Sequence, residues 1–295
     1  MTTLITGASG FIGSALASAL AAQDFEVVQI KRSMLEKGFN VVAEMIQENR
    51  PDVVFHLAGT FHSSDTSDMI KVNCLFASVV LDAVKASGAD CRVVLMGSAA
   101  EYGPVEVSEL PIREDHPAHP ETLYGITKLI QTMIGTTFAK EGLDVVVARP
   151  FNVLGVGASE QLAIPDFARQ LRDIKSGKEP AVLKTGNLDT SRDFVSVHSC
   201  VQALLLLGTT KGASGRIVNI CSGKAWSIRG IVERMITMID LQVTFEVDAS
   251  RIHRSDPRVN YGDPTLLESL TGYRPDLTVV EMDAILAGLL NVRNV

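Results

Sequence analysis

The sequence predicts an α/β fold: a doubly wound parallel sheet with a smaller, interleaved C-terminal lobe. Three observations predict it. Short β-branched runs alternate with stretches of helical spacing through the first half. A glycine-rich turn joins the first run to the first helical stretch. The alternation breaks after Pro150, where loops, helices and prolines take over.

The predicted strands are Leu4-Ile5-Thr6, Val27-Val28-Gln29-Ile30, Val53-Val54-Phe55, Val93-Val94-Leu95 and Val145-Val146-Val147. Each is almost continuously apolar, as a parallel strand covered on both faces must be. Between them, Ile12, Leu16 and Leu20, then Val72, Leu75, Val79 and Val80, recur at helical spacing. Beyond Pro150, Ile164, Phe167, Leu171 and Ile174 mark one apolar helical face, and Ile217-Val218-Asn219-Ile220 reads as a strand returning to the main sheet. The expected organisation is a dinucleotide-binding domain over 1–152, with 188–222 returning to it, and a substrate-binding lobe over 153–187 and 223–295.

Composition narrows the class. The 295 residues are 46% hydrophobic and 21% charged, with a net charge of −7. That is the mix of a globular enzyme-sized chain, and no basic stripe suits nucleic acid. Cys74, Cys91, Cys200 and Cys221 lie far apart, so buried free thiols in a reducing compartment are expected. The first residues form no basic or apolar leader, and the most apolar later run, Ala203 to Leu207, is too short to span a bilayer. A cytoplasmic protein without membrane contact is expected. His116 and His119 sit in a proline-rich loop, which favours a plain surface over a metal site, and no metal is expected. His56 reads as a structural histidine, and Trp226 as core or as a stacking platform.

The turn "TGASGFIGSAL" places Gly7, Gly10 and Gly13 between the first strand and the first helix. Such a turn lets backbone N–H groups approach a phosphate at the helix N-terminus, although a glycine triplet also serves simple tight turns. The second strand runs into Lys31-Arg32. Two cations there attract a 2′-phosphate, which favours NADPH, with NADH possible; the competing reading is a solvated basic turn.

Tyr124 and Lys128 lie four residues apart in "YGITK", on one face of a helix. A neighbouring cation is expected to lower the pKa of the phenol and ready it for proton exchange. Ser98, in the loop "GSAAEYG" after the fourth strand, can bind the same substrate oxygen. Alone, Tyr-x-x-x-Lys usually marks only a helix surface; behind a glycine turn and a strand-end serine it points to a catalytic set.

These residues resemble the extended short-chain dehydrogenase/reductase family, in the branch that modifies nucleotide sugars. The resemblance covers nearly the whole chain. It rests on "TGASGFIG", "HLAG" at His56 to Gly59, Asn73, "GSAAEYG", "YGITK", "RPFN" at Arg149 to Asn152, and "RDFVSV" at Arg192 to Val197. It implies a Rossmann-like domain and a catalytic triad of Ser98, Tyr124 and Lys128. The cofactor contacts it implies run from Gly7, Gly10, Phe11, Ile12 and Gly13 through Lys31 and Arg32 to Leu57, Ala58, Gly59 and Asn73. Tyr124, Lys128 and Pro150 complete them. Substrate contacts are implied at Ser98, Glu101, Asn152, Arg192 and Arg251. For Arg192 the competing reading is an ion pair with Asp193, and for Arg251 a solvated helix end. Two helices resemble those of the family's dimer bundle, which implies a homodimer.

Ala99 and Ala100 add a chemical limit. The family's 4,6-dehydratases carry acids just after the serine, and its epimerase-reductases a cysteine two residues after it. Alanine can neither give nor take a proton, so the loop supports hydride transfer at one centre without a second acid/base step. Glu101, one position beyond the dehydratase acids, reads as structural or substrate-orienting, with a shifted acid as the alternative. The second-half segments "RPFNVLG", "IPDFARQL", "GNLDTSRDFVSV", "VNICSGKAWSI" and "TGYRP" resemble the family's reductases of GDP-4-keto-6-deoxy-mannose. That implies NADPH-dependent reduction of a nucleotide-linked 4-keto-6-deoxy sugar, GDP-linked by preference, giving GDP-rhamnose. Departures stand at His198, where relatives carry an acid, and at His253-Arg254, where they carry Arg-Pro. Two alternatives stay open: a 4-epimerase retaining NAD, and a non-catalytic cofactor sensor.

Overall fold

The computed structural model describes residues 1–30, 40–61, 65–251 and 258–292. Its elements begin with β1 (Thr2–Thr6), α1 (Phe11–Ala21), β2 (Glu26–Ile30), α2 (Asn40–Asn49) and β3 (Val53–His56). Next, α3 (Thr66–Ile70) runs through a π turn (Lys71–Leu75) into α4 (Phe76–Ser87). Then come β4 (Arg92–Met96), α5 (Leu123–Lys140), β5 (Val145–Pro150), β6 (Asn152–Leu154), α6 (Ala163–Lys175) and β7 (Val182–Thr185). The last part holds β8 (Ser191–Ser196), α7 (Val197–Thr209), β9 (Ile217–Ile220), β10 (Ala225–Ser227) and α8 (Ile228–Met238). It closes with β11 (Thr244–Val247), β12 (Val259–Asn260), α9 (Thr265–Thr271) and α10 (Val279–Leu290).

The six-stranded sheet has the order β2-β1-β3-β4-β5-β9, and every pairing in it is parallel. All five strands expected from the sequence lie in it, and Ile217–Ile220 joins beside β5. The apolar runs are buried because helices cover both faces. Leu16, Leu20, Leu204 and Leu207 pack on one face against Ile5, Phe55, Val94 and Val146. Val42, Ile46, Val80, Leu81 and Val84 pack on the other against Leu4, Val54, Val93 and Val145. Each such side chain contributes about 1.5–3 kcal/mol by leaving water.

The second half divides differently from the expected boundaries. Ser191–Ser196, inside the segment expected to return to the main domain, belongs to a separate small sheet. There it pairs with β6, β10 and β12. The return to the central layer comes afterwards, through α7 and β9. A distinct lobe core gathers Ile164, Phe167, Leu171 and Leu183 with Ile231, Met235, Met282 and Leu286.

The strand order reverses at β1, whose neighbours are β2 on one side and β3 on the other. In open α/β sheets the crevice at the C-terminal strand ends there is where ligands bind. The glycine turn leaves β1 and the Leu57–Thr60 loop leaves β3 at that place. The Ser98 loop leaves β4, and Pro150 ends β5, further along the same edge. No helix among the described residues is long and apolar enough to cross a membrane.

Candidate active site

The glycine turn is built for close approach. Gly7 has φ +75°, and a Cβ there would meet the Ala58 backbone nitrogen at 2.7 Å. A Cβ on Gly13 would lie 2.1 Å from the Gly7 carbonyl oxygen. Only hydrogen at both positions lets α1 begin tight against the turn and the Ala58 loop. Gly10 donates to the Gly7 carbonyl and accepts from Ser14, which starts the helix with no side-chain cap. Phe11 and Ile12 form its first turn, where N–H groups are free of intrahelical partners and suited to a diphosphate. Lys31 and Arg32 lie outside the described residues.

Ser98 and Tyr124 meet because of a second close approach. Gly125, beside Tyr124, faces the Ser98 loop, and a Cβ there would lie 2.4 Å from the Ala100 carbonyl oxygen. Thr122 caps α5, accepting from Gly125 N–H at 3.0 Å. Ser98 in turn caps the short 3₁₀ turn Ala99–Glu101, accepting from Ala100 N–H at 3.2 Å. Ser98 thereby comes close enough to the Tyr124 phenol to influence its titration.

The direction of the phenol's pKa corrects an expectation. Burial raises the Tyr124 pKa, the Ser98 hydrogen bond opposes this, and the Glu101 charge adds to it; Lys128 does not act to lower it. The reason lies one turn along α5. Lys128 is 3% exposed, and its ammonium donates to Gln131 Oε1 at 2.7 Å. Burial pulls the Lys128 pKa down to about 8, with Glu101 and Cys74 opposing. Tyr124 is therefore a protonated phenol at neutral pH, a group able to give a proton to a developing alkoxide beside Ser98.

Glu101 requires a second correction. It is fully buried, so its expected substrate contact is sterically closed. One carboxylate oxygen accepts Ser98 N–H at 2.8 Å and the other accepts from the Arg149 guanidinium at 2.6 Å. Arg149, 2% exposed, lies over the Tyr102 ring at 4.5 Å. Tyr102 donates to Asn219 Oδ1 at 2.7 Å, and burial pushes its pKa up to about 12. Glu101 is a positioning residue that ties the Ser98 loop to β5, while Tyr102 ties the same segment to β9. Ala99 and Ala100 stand partly exposed beside it and carry no proton-transfer group.

Asn73 is also buried, and its amide is occupied by protein. It accepts from Thr60 N–H at 2.8 Å, and donates to the Thr60 carbonyl at 2.9 Å and to Thr127 Oγ1 at 2.9 Å. The structure therefore gives Asn73 the task of holding the Leu57–Thr60 loop against α5, in place of the expected direct cofactor contact. It sits in the π turn, which shifts the helix register locally. Leu57 and Ala58 are partly exposed and Gly59 is exposed, at the mouth of the crevice. His56 is structural: its Nδ1 shares a hydrogen bond with Thr6 Oγ1 at 2.9 Å, and burial drives its pKa down to about 3.

The other expected substrate contacts divide. Asn152 is exposed and donates to the Asp193 carbonyl at 2.8 Å, close to the buried Pro150. Arg192 does not pair with Asp193, since neighbours on a strand face opposite sides. The Asp193 carboxylate instead accepts from Ser222 N–H and Oγ, Gly223 N–H and Gly262 N–H, joining β8 to the ends of β9 and β12. Arg251 is no solvated helix end: it pairs with Asp166, which Arg169 and Gln170 also hold. Trp226 packs partly buried on the lobe core, with its indole N–H unpartnered. His116 hydrogen-bonds the Pro117 carbonyl through Nδ1 at 2.9 Å, and no metal-binding group of His, Cys, Asp and Glu exists among the described residues. Arg149 and Asp193 lie inside the motifs "RPFN" and "RDFVSV" but had no role assigned, and Gln131 lies outside every motif; for Gln131 the signal is its i,i+3 spacing from Lys128.

Comparison with known proteins identifies the family. Residues 3–221 match the NAD dependent epimerase/dehydratase family. The chain is 31% identical to the GDP-6-deoxy-D-mannose reductase of Pseudomonas aeruginosa, covering 93% of this chain and 92% of the relative. It is 26% identical to a UDP-glucose 4-epimerase of Corynebacterium glutamicum, over 94% and 92% of the two chains. Its fold superposes on RMD from Pseudomonas aeruginosa complexed with NADPH with a TM-score of 0.86, at 29% identity, covering 98% of this chain and 96% of the other. A glycine turn at the sheet's reversal point, a serine–tyrosine–lysine set beside it and a family match across three quarters of the length agree: the chain belongs to the NAD dependent epimerase/dehydratase family, as a nucleotide-sugar oxidoreductase.

Proposed function

We propose that this protein reduces the 4-keto group of GDP-4-keto-6-deoxy-mannose, giving GDP-rhamnose, with NADPH as the reductant. The observation that carries the reading is the Ser98 loop. A protonated Tyr124 and a hydroxyl at Ser98 face one place, and the adjacent Ala99 and Ala100 offer nothing for a second proton transfer. The reductase relative from Pseudomonas aeruginosa supports the GDP-linked substrate.

The bound cofactor supplies a hydride to the carbonyl carbon. The chain's residues do the rest. Gly7, Gly10, Phe11, Ile12 and Gly13 would hold the diphosphate, and the cradle that a Cβ would fill at Gly7 and Gly13 fits it. Lys128 would hold the ribose, close behind Gly59. Lys31 and Arg32 supply the charge that favours a 2′-phosphate, and the NADPH complex of RMD supports the same choice. Tyr124 gives its proton to the carbonyl oxygen as negative charge grows there, and Ser98 donates a hydrogen bond to that oxygen. The burial that raises the Tyr124 pKa keeps the proton available at neutral pH. Pro150, buried at the end of β5, would lie beside the nicotinamide ring. Asn152 on β6 and Arg192 on β8, in the small separate sheet, are the candidate contacts to the sugar nucleotide. Arg251 reaches the nucleotide only by leaving Asp166.

A homodimer accompanies this reading. Ile70 and Leu75 on one helix pair, and Ile126, Ile130 and Met133 on α5, leave a large apolar face exposed. A second reading, a 4-epimerase, draws support from the UDP-glucose 4-epimerase relative. The test is a panel of GDP-, dTDP-, CDP- and UDP-linked 4-keto-6-deoxy sugars with NADPH. Stoichiometric loss of the reduced-nicotinamide absorbance with the GDP-linked sugar is the expected result. Purification with tightly held NAD, and interconversion of UDP-hexoses without net oxidation, would replace the reductase by the epimerase.

A further inference from the structure

Lys128 is the least accommodated charge at this site. Its ammonium is buried, and its one hydrogen-bond partner among the described residues is the neutral side-chain amide of Gln131. Gln131 is itself fully buried and donates through Nε2 to the carbonyl of Met96 at 3.1 Å. Met96 ends β4, two residues before Ser98. One amide therefore joins the lysine of α5 to the strand that presents the serine. The far side of the ammonium lies close to the Leu57–Thr60 loop: a Cβ on Gly59 would stand 3.6 Å from Nζ.

We propose that Gln131 is a positioning residue for the reaction, clamping the Lys128 ammonium to the Met96 carbonyl so that its remaining N–H donors face the Gly59 loop, where the ribose hydroxyls of a nicotinamide cofactor would lie. This rests on the reading of Lys128 as the cofactor-holding lysine. The side chain does three things. It fixes the lysine's rotamer, because a four-carbon stem ending in an unpartnered ammonium has no other anchor. It keeps the register between α5 and the end of β4, and so between Tyr124 and Ser98. Being uncharged, it stabilises the ammonium only modestly, so Lys128 stays near the edge of deprotonation.

The groups around Lys128 are few. Glu101 on the serine loop favours its charge, as does Cys74 on the π turn, while burial opposes it. Glu101 is itself engaged with Arg149. His56 on β3 is held neutral, partly by Lys128. Tyr124, on the lysine's own helix, is protonated. Gln131 is the remaining partner and, among the described residues, the one in direct hydrogen-bond contact.

The test uses two substitutions with opposite signs. In Gln131→Met the ammonium loses its acceptor, and the Lys128 midpoint should fall by about one pH unit. In Gln131→Glu a carboxylate takes the same place, and the midpoint should rise by about one pH unit or more. The readout is the Nζ resonance of Lys128 in ¹⁵N-lysine-labelled protein, titrated from pH 6 to 11 without added ligand. Lys128→Met identifies the resonance. The basic limb of NADPH affinity, followed by fluorescence, should move the same way in each variant. If one variant does not fold, the sign shown by the other decides. A purely structural role for Gln131 lowers thermal stability in both variants and leaves the Lys128 midpoint unchanged. That result, or shifts of the same sign, overturns the inference. Opposite shifts in the resonance with no NADPH binding at any pH would sink the reductase reading and leave the clamp standing.

Discussion

Removing the Glu101 carboxylate tests the buried platform under Ser98. In Glu101→Ala, Arg149 keeps its charge at 2% exposure and loses its carboxylate partner. Its Nε has no hydrogen-bond partner among the described residues, and the Tyr102 ring it lies over is left as its main compensation. Breaking a buried pair from one side costs about 3–5 kcal/mol. Loss of the capping bond to Ser98 N–H adds about 1 kcal/mol. For 295 residues at about 2.1 cal/mol/K each, the unfolding entropy near the midpoint is roughly 0.6 kcal/mol/K. The pair alone then corresponds to a Tm lower by about 5–8 °C. Adding Arg149→Met removes the stranded charge, so the double variant should regain a large part of that loss. Calorimetry on the four proteins of the cycle measures this coupling directly. A Tm within about 1 °C of the parent for Glu101→Ala would show that the buried pair carries no such weight. So would a double variant that loses the sum of both single effects.

Other outcomes follow from the same geometry. Tyr124→Phe removes the proton donor and should lower turnover by about 10²–10⁴-fold while NADPH affinity stays within about twofold, read from kinetics and fluorescence titration. Gly13→Ala places a Cβ 2.1 Å from the Gly7 carbonyl, so α1 must move; NADPH binding should be lost and the Tm lowered. Lys128, with its pKa at about 8, is charged below that pH, so NADPH affinity should fall as pH rises through 8. Its folded pKa lies below the unfolded value of 10.5, so its contribution to stability is present above 10.5 and is lost as pH falls through 8. Parent stability measured against Lys128→Met should therefore rise between pH 8 and 10.5, and a flat difference would contradict this. Ile130→Glu puts a charge in the exposed apolar face of α5 and, for the proposed homodimer, should shift size-exclusion elution from dimer to monomer.

Much of this was legible in the sequence because its signals are local. A parallel strand buried on both faces reads as an unbroken apolar run, as at Val93 to Leu95. A glycine turn before an amphipathic helix reads the same way wherever it occurs. The Tyr124–Lys128 spacing places both on one face of α5. What escaped depends on contacts between distant residues. Glu101 finds Arg149 48 positions away, and burial then turns an apparent substrate contact into an anchor. Asp193 gathers donors from Ser222, Gly223 and Gly262, loop residues after β9 and β12 that no local pattern brings together. The Tyr124 pKa was expected in the wrong direction for a different reason. Helical spacing brings Lys128 near, but Gln131, one turn further, captures its ammonium, and burial then governs the phenol.

The most direct measurement follows a labelled hydride. NADPH carrying deuterium at the transferable position is mixed with GDP-4-keto-6-deoxy-mannose and the protein, and the product is read by NMR. The expected result is one deuterium at carbon 4 of GDP-rhamnose for each NADPH consumed. Product lacking the label at carbon 4, or sugar interconverted with no NADPH consumed, would contradict it.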